Sequence, residues 1–341
     1  MRNVDIPTVR ALLLSRDDVI GAGRSERQLR EDVAAGILVR VHRGWYMLAE
    51  HWAGLWPESQ HLARVVAVND AAEVPPVFAF TSAAAILGVG VYRVRVMRVH
   101  ALYPDAERRT VGGVIRHRGQ LDEADIVEVD GILCTSPLRT AYDLARLASA
   151  EVALVFIDEI LSRIGGDPRQ YDVAAASAWL ADLTERVDRM PGARGIRHAR
   201  SLLEVADGRS QKPLEVVTKL QLRRLGFGQP AIQVQVAAPS RGSYWLDLEI
   251  QEVATFYECD GEAKYTDEAL RSGRTLEEVL LAEKQREDWV RGTTRKGFVR
   301  GGNAHATSPE VLAARLRSFG IELPQRRSGL FLPRRPLLYG Q

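Results

Sequence analysis

The chain has 341 residues, enough for two or three domains at roughly 100–200 residues each. Its 46% hydrophobic and 26% charged residues exclude a collagen-like or wholly disordered chain, and 46 basic against 44 acidic residues exclude a polycation. Cys134 and Cys259 stand far apart without CxxC spacing, which argues against structural zinc or a disulfide framework and for a reducing cytoplasm. No window offers the roughly 18 apolar residues of a membrane span, and the N-terminus lacks a secretory pattern.

In chain order, Ile6 to Leu14 reads as a short helix, SRDDVIGAG as a turn region, and Ser25 as the N-cap of ERQLREDVAAG, which Gly36 stops. ILVRVHRGWYML then has a hairpin pattern about His42-Arg43-Gly44. Small helices followed by a hairpin predict a winged helix-turn-helix over residues 1–50. Arg24, Arg27 and Arg30 flank or occupy its recognition helix, and Arg40 and Arg43 lie on the wing. Singly each is an ordinary solvated charge; together, on the two elements that touch a duplex, they favour phosphate contact with double-stranded DNA.

Residues 51–205 predict a middle α/β domain. His61 to Ala72 is helical, FAFTSAAAILGV is a buried helix capped at Thr81 or Ser82, and RVRVMRVHALY and VGGVIRHR are strands. A strand, a turn at Ser136-Pro137 and a helix follow, then a mostly helical stretch with a hinge at Asp188 to Ala193. His42, His100 and His117 lack metal-ligand spacing and read as surface or structural. No Ser–His–Asp set surrounds Ser136, and the glycines Gly88, Gly90, Gly112 and Gly113 punctuate turns.

Residues 206–320 predict an amphipathic helix over SQKPLEVVTKLQLRRLGF, three antiparallel strands, a charged helix from Thr275 to Val290, and a further strand at GFVRG. The fold class is therefore α+β multidomain, with a mixed sheet flanked by helices in this last part. From Arg291 onward ten bases face only Glu310 and Glu322, so residues 321–341 make a basic tail.

Metal-dependent phosphodiester hydrolysis needs carboxylates converging on a hard cation. Asp247 in YWLDLEI and Glu258 ending TFYECDG stand on neighbouring strands about 4.8 Å apart. Asp260 shares the face of Glu258 because strand side chains alternate. Glu215 on the preceding helix completes the cluster, and Lys264 lies just past the Gly261 turn, within reach of a phosphate oxygen or the attacking water. The alternative is a solvent-facing row of acids. Glu249, on the face of Asp247, is a possible ligand but reads as exposed, Cys259 reads as core, and Glu283, Lys284, Arg286 and Glu287 have the alternative of a helix face of i,i+3 and i,i+4 pairs.

LEVVTKLQLRRLGF, QVQV, LDLEI, ECDGEAKY and LLAEKQRED resemble restriction-endonuclease-like domains related to the very-short-patch-repair endonucleases. Over about residues 208–300 the matches fall on Glu215, Asp247, Glu258, Asp260, Lys264, Glu283, Lys284 and Arg286. The wider class carries a PD-(D/E)XK signature. This resemblance implies a Mg²⁺- or Mn²⁺-dependent nuclease with Asp247, Glu258 and Asp260 on the metal, and Glu215 and Lys264 assisting. Asp260 stands where the signature lysine would be, and Lys264 would replace it from a shifted site. SERQLREDVAAGILVRVHRGWYML resembles the winged helix of AbiEi-type antitoxins, which implies DNA binding. The rival expectation is a non-catalytic, antitoxin-like repressor, with a toxin partner or a homo-oligomer as unproven assemblies.

Overall fold

The computed structural model describes residues 4–90, 92, 98–103, 109–239, 241–259, 275–325 and 328–332. They form a mixed α+β protein, about half helical, with three sheets. The chain divides into two compact units, one running up to Val152 and the other from Ala153 onward.

The first unit opens with α1 (Ile6–Leu12), β1 (Leu14–Ser15), α2 (Arg16–Gly21), α3 (Glu26–Ala34), β2 (Leu38–His42) and β3 (Trp45–Leu48). The expected helix to Leu14 ends at Leu12, and the expected turn after it contains α2. α2 starts at the capping box of Ser15 with Asp18, the same device that starts α3 with Ser25 and Gln28. β2 and β3 form the antiparallel hairpin, β1 adds to β3, and Val19, Leu29 and Leu38 fill the small core beneath.

The same unit continues through α4 (Ala49–Gly54), α5 (Pro57–Asp70), β4 (Val77–Phe78), α6 (Phe80–Ile86), β5 (Val99–Tyr103), β6 (Arg109–Val111), β7 (Val114–Arg118), β8 (Ile126–Val129), β9 (Ile132–Thr135) and α7 (Pro137–Leu147). The six strands make one mixed sheet in the order β6-β7-β5-β4-β9-β8. Leu62, Val65 and Val66 of α5 belong to the same core as Phe78, Ala101, Ile132 and Cys134. α6 starts after Ala79 with no side-chain cap. Ser82, expected as a cap, instead contacts His61 Nε2 at 3.2 Å and accepts the His100 N–H at 2.9 Å. His100 and His117 are structural, buried and joined at 2.8 Å between Nδ1 and Nε2.

α8 (Ala150–Gly165) crosses the division, and the second unit adds α9 (Val173–Asp188), α10 (Ile196–Leu203) and α11 (Pro213–Leu225). It is completed by β10 (Ala231–Ala237), β11 (Ser243–Ile250), β12 (Thr255–Cys259), α12 (Leu276–Thr294), β13 (Gly297–Gly301) and α13 (Pro309–Ser318). β10, β11 and β12 are antiparallel, and β13 lies parallel to β12. A parallel neighbour requires a crossover, and α12 supplies it. Its Val290 packs with Leu246, Phe256 and Phe298.

Gly226 stops α11 at φ 97°, where a side chain would be strained. The expectation of an amphipathic α11 is corrected by its burial on every side from Leu214 to Gln221, Glu215, Thr218 and Lys219 included. Polar groups on such a helix need partners inside the protein.

Candidate functional site

Glu215 stands in the first turn of α11 with no exposed surface. Its Oε2 accepts the Gln211 N–H at 2.8 Å and the Gln233 side-chain amide at 3.4 Å. Its Oε1 is buried without a hydrogen-bond partner. Gln233 delivers its amide from β10 at φ 51°, in the left-handed region, and nothing in the sequence marks that residue.

Asp247 comes from the middle of β11, and its Oδ2 accepts the Cys259 N–H at 2.8 Å. Burial first, and the Asp247 charge second, push the Glu215 carboxyl up to about 7. The structure thus brings these two predicted residues together as like charges, a combination that costs stability unless a proton or a cation neutralises it.

Glu258, at the end of β12, is only 7% exposed, and both its oxygens are engaged. Arg286 of α12 donates from Nη1 to Oε2 at 3.1 Å and from Nη2 to Oε1 at 2.7 Å, with a further bond from Nη2 to the Trp245 carbonyl at 2.9 Å. Arg286 therefore reaches across to the sheet and does not pair along its own helix. Glu283 and Glu287 also reach β13, where Arg300 donates to Glu283 at 2.9 Å and lies 3.2 Å from Glu287 as an ion pair, while Glu287 pairs with Arg291 four residues on as well. Glu249, expected to be exposed, is buried and ion-paired with Lys296. Cys259 lies in the core, its Sγ 3.5 Å from Thr218 Oγ1, and burial and then Asp247 push the thiol far up. Such a thiol is protonated and no nucleophile.

Asp260 and Lys264 lie outside the described residues. Among the described residues no group of three or more His, Cys, Asp or Glu side chains is placed to hold a metal ion.

The arginines of the first unit separate into two kinds. Arg24 pairs with Asp32 at 3.5 Å, Arg27 with Glu31 at 2.8 Å, and Arg30 donates to the Glu26 carbonyl at 3.2 Å. Glu26, Glu31 and Asp32 thus offset the positive charge of α3. Arg40 and Arg43, exposed on the β2–β3 hairpin, make no ion pair among the described residues. His42 between them is half-buried, and burial and then Arg40 hold its imidazole below the usual range.

No family model matches the chain. Two uncharacterized proteins of Mycobacterium tuberculosis, MT2308 of strain CDC 1551 and Rv2248 of strain H37Rv, are each 29% identical to it over 212 residues, 62% of this chain and 69% of theirs. The crystal structure of the RV2827C protein from Mycobacterium tuberculosis is similar over 69% of this chain and 87% of that one, at 16% identity and a TM-score of 0.32, too loose a likeness to carry an argument. No helix among the described residues is long and apolar enough to cross a membrane.

Proposed function

We propose that the chain binds double-stranded DNA through a winged helix in its first unit, and that its second unit is a restriction-endonuclease-like, metal-dependent phosphodiesterase. The observation that carries the second part is the Glu215–Asp247 pair. Two carboxylates sit together, one fully buried with an unpartnered oxygen, where burial and like charge hold that acid near 7. An arrangement that strains against its own charge fits a hard divalent cation. Glu215 and Asp247 would hold Mg²⁺ or Mn²⁺, with Asp260 as the further oxygen ligand expected from the sequence. The cation, when bound, supplies an acidified water and offsets charge on the attacked phosphate.

The chain's own residues do the positioning. The Cys259 N–H fixes one Asp247 oxygen, and Gln211 and Gln233 fix one Glu215 oxygen, leaving Glu215 Oε1 without a hydrogen bond. Glu258, expected on the metal, holds Arg286 instead, and its part in this reading is to anchor that guanidinium. Lys264 keeps its proposed place beside the phosphate. In the first unit the hairpin arginines Arg40 and Arg43 are the phosphate contacts best supplied with unspent charge.

A second reading, a non-catalytic DNA-binding repressor, is favoured by one specific observation: an expected metal ligand is spent on an ion pair. The deciding measurement is plasmid nicking with Mg²⁺, Mn²⁺ or EDTA by wild type and Asp247→Ala, both verified as folded by circular dichroism. The expected result is metal-dependent nicking that falls by more than about 100-fold in the variant, since even outer partners of a metal are worth 10- to 100-fold. Equal activity in the two proteins, or activity surviving EDTA, rejects the site. A folded wild type inert with every divalent ion transfers the function to the repressor reading.

A further inference from the structure

The first unit contains a cavity of about 420 Å³, inside the size range of small-molecule sites. His42, Arg64 and Arg98 line it together with the apolar Val41, Val68 and Val99, and no acid is among its described lining residues. Arg64 projects from α5. Its guanidinium lies 4.8 Å from the Trp52 ring centroid, and it makes no ion pair or hydrogen bond among the described residues.

A second arginine of the same unit shows how this fold treats a buried guanidinium that serves structure alone. Arg139, nearly fully buried, donates to Asp125 at 2.6 Å, to Asp143 at 2.9 Å and to the Gln120 carbonyl at 3.0 Å. Arg64 is partly buried, enough for burial to lower its pKa, yet has no such carboxylate among the described residues. A partly buried cation facing a cavity, with a second arginine at the same cavity, has no anionic partner among the described residues.

The turn joining β6 and β7 also lines the cavity. Gly112 and Gly113 hold φ of 58° and 84°, the left-handed conformation of a two-residue hairpin turn, and a Cβ on Gly112 would stand 4.0 Å from His42 Cε1. The site is thus built from a hairpin, a helix and a sheet turn, with a cationic part and an apolar part.

We propose that this cavity binds a small organic phosphate, of about the size of a nucleoside monophosphate, with Arg64 and Arg98 on the phosphate and the three valines against the body of the molecule. Planar guanidinium forks suit phosphate oxygens, and valine surface suits an apolar or aromatic group. A backbone phosphate of DNA has the same charge chemistry, and Val41 and His42 belong to the hairpin proposed to touch DNA. The experiment separates the two sources.

The full-length chain is titrated with adenosine 5′-monophosphate, inorganic phosphate and adenosine, by thermal denaturation and calorimetry. The expected result is a saturable rise in Tm with the nucleotide, a weaker one with phosphate and none with adenosine. Arg64→Met, which keeps the stem on Trp52, and Arg98→Met, at an exposed position, should each weaken nucleotide affinity by about tenfold or more, the effect of removing one charged hydrogen-bonding partner. Circular dichroism verifies the fold of each, and the exposed Arg98→Met keeps the test open should Arg64→Met misfold. No Tm rise with any probe up to about 10 mM, weaker than any affinity of use to a cell, overturns the proposal. So does adenosine acting as well as its phosphate, or variants that bind as wild type does. Variants that lose duplex affinity while no small phosphate binds assign the cavity to a DNA phosphate, and overturn it equally.

Discussion

Glu215 and Lys219 stand one turn apart on α11, and neither exposes any surface. Their surroundings are opposite. Lys219 forms an ion pair with Asp158 of α8 and donates to the Asp207 carbonyl at 3.3 Å, and the Asp207 N–H returns to Asp158 at 2.9 Å. That charge is compensated in all directions. Glu215 meets two amides, leaves one oxygen unpartnered and faces a second carboxylate. Within a single helix, then, a buried charge that is matched holds elements together, whereas one that is left unmatched is kept at a cost in stability.

The largest expected effect tests the matched side. Lys219→Met leaves Asp158 buried and unpaired, and should cost about 3–5 kcal/mol in urea denaturation, the range for breaking one half of a buried pair. Replacing both, as Lys219→Met with Asp158→Leu, should recover most of that loss, because an apolar pair of similar volume replaces an ionic one. Burial pushes the Asp158 carboxyl up to about 6 in spite of Lys219. A single variant as stable as wild type would erase the contrast on which the comparison rests.

Glu215→Gln tests the unmatched side and should stabilise. The folded carboxyl titrates near 7 against an ordinary 4.5. Between those values the folded state binds the proton that the unfolded state has lost, so wild type loses stability as pH rises through that window. The two proteins should match below pH 4.5 and diverge up to about 7, after which the gap stays constant, with Glu215→Gln the more stable. At roughly 1.4 kcal/mol per pH unit the gap is a few kcal/mol at most. Under the metal reading, Mg²⁺ at pH 8 raises the Tm of wild type and not of Glu215→Gln. Stability curves that run parallel in pH would show that Glu215 is satisfied after all.

What was legible in the sequence follows the range of the interactions. Helix starts are local, and Ser25 with Gln28, three residues apart, announces α3 plainly. Ser15 with Asp18 does so as well, but the glycines that follow carry a turn pattern of their own. The strand order around Asp247 could be read because alternation is local. The burial of α11 could not, since Lys219 finds its partner 61 residues away and Glu215 finds Gln233 18 residues away. Periodicity reports which face of a helix is apolar, and a helix covered on every side has polar residues that look solvated until their partners are known. The same limit hides the pairing of Glu258 with Arg286, 28 residues apart in the chain.

The smallest effect extends the contrast of matched and unmatched charge to the exposed arginines. Arg27 is tied to Glu31 four residues on, and the pair is well solvated, with side chains 85% and 58% exposed. Such a pair contributes little to stability, about 0.3–0.5 kcal/mol, but the acid offsets part of the charge that Arg27 can offer a phosphate. Arg43 has no such acid among the described residues. Neutralising one phosphate releases condensed counterions, so removing a true phosphate contact lowers the slope of log affinity against log salt by about 1. Arg43→Ala should therefore weaken duplex binding severalfold and flatten that slope between about 50 and 200 mM salt, read by fluorescence anisotropy with the full chain. Arg27→Ala should do less on both counts, and Glu31→Ala should tighten binding by freeing Arg27. A loss in Arg27→Ala equal to that in Arg43→Ala would place α3 against the phosphates in spite of its own acids, and would show that a solvated ion pair gives way to DNA at no measurable cost.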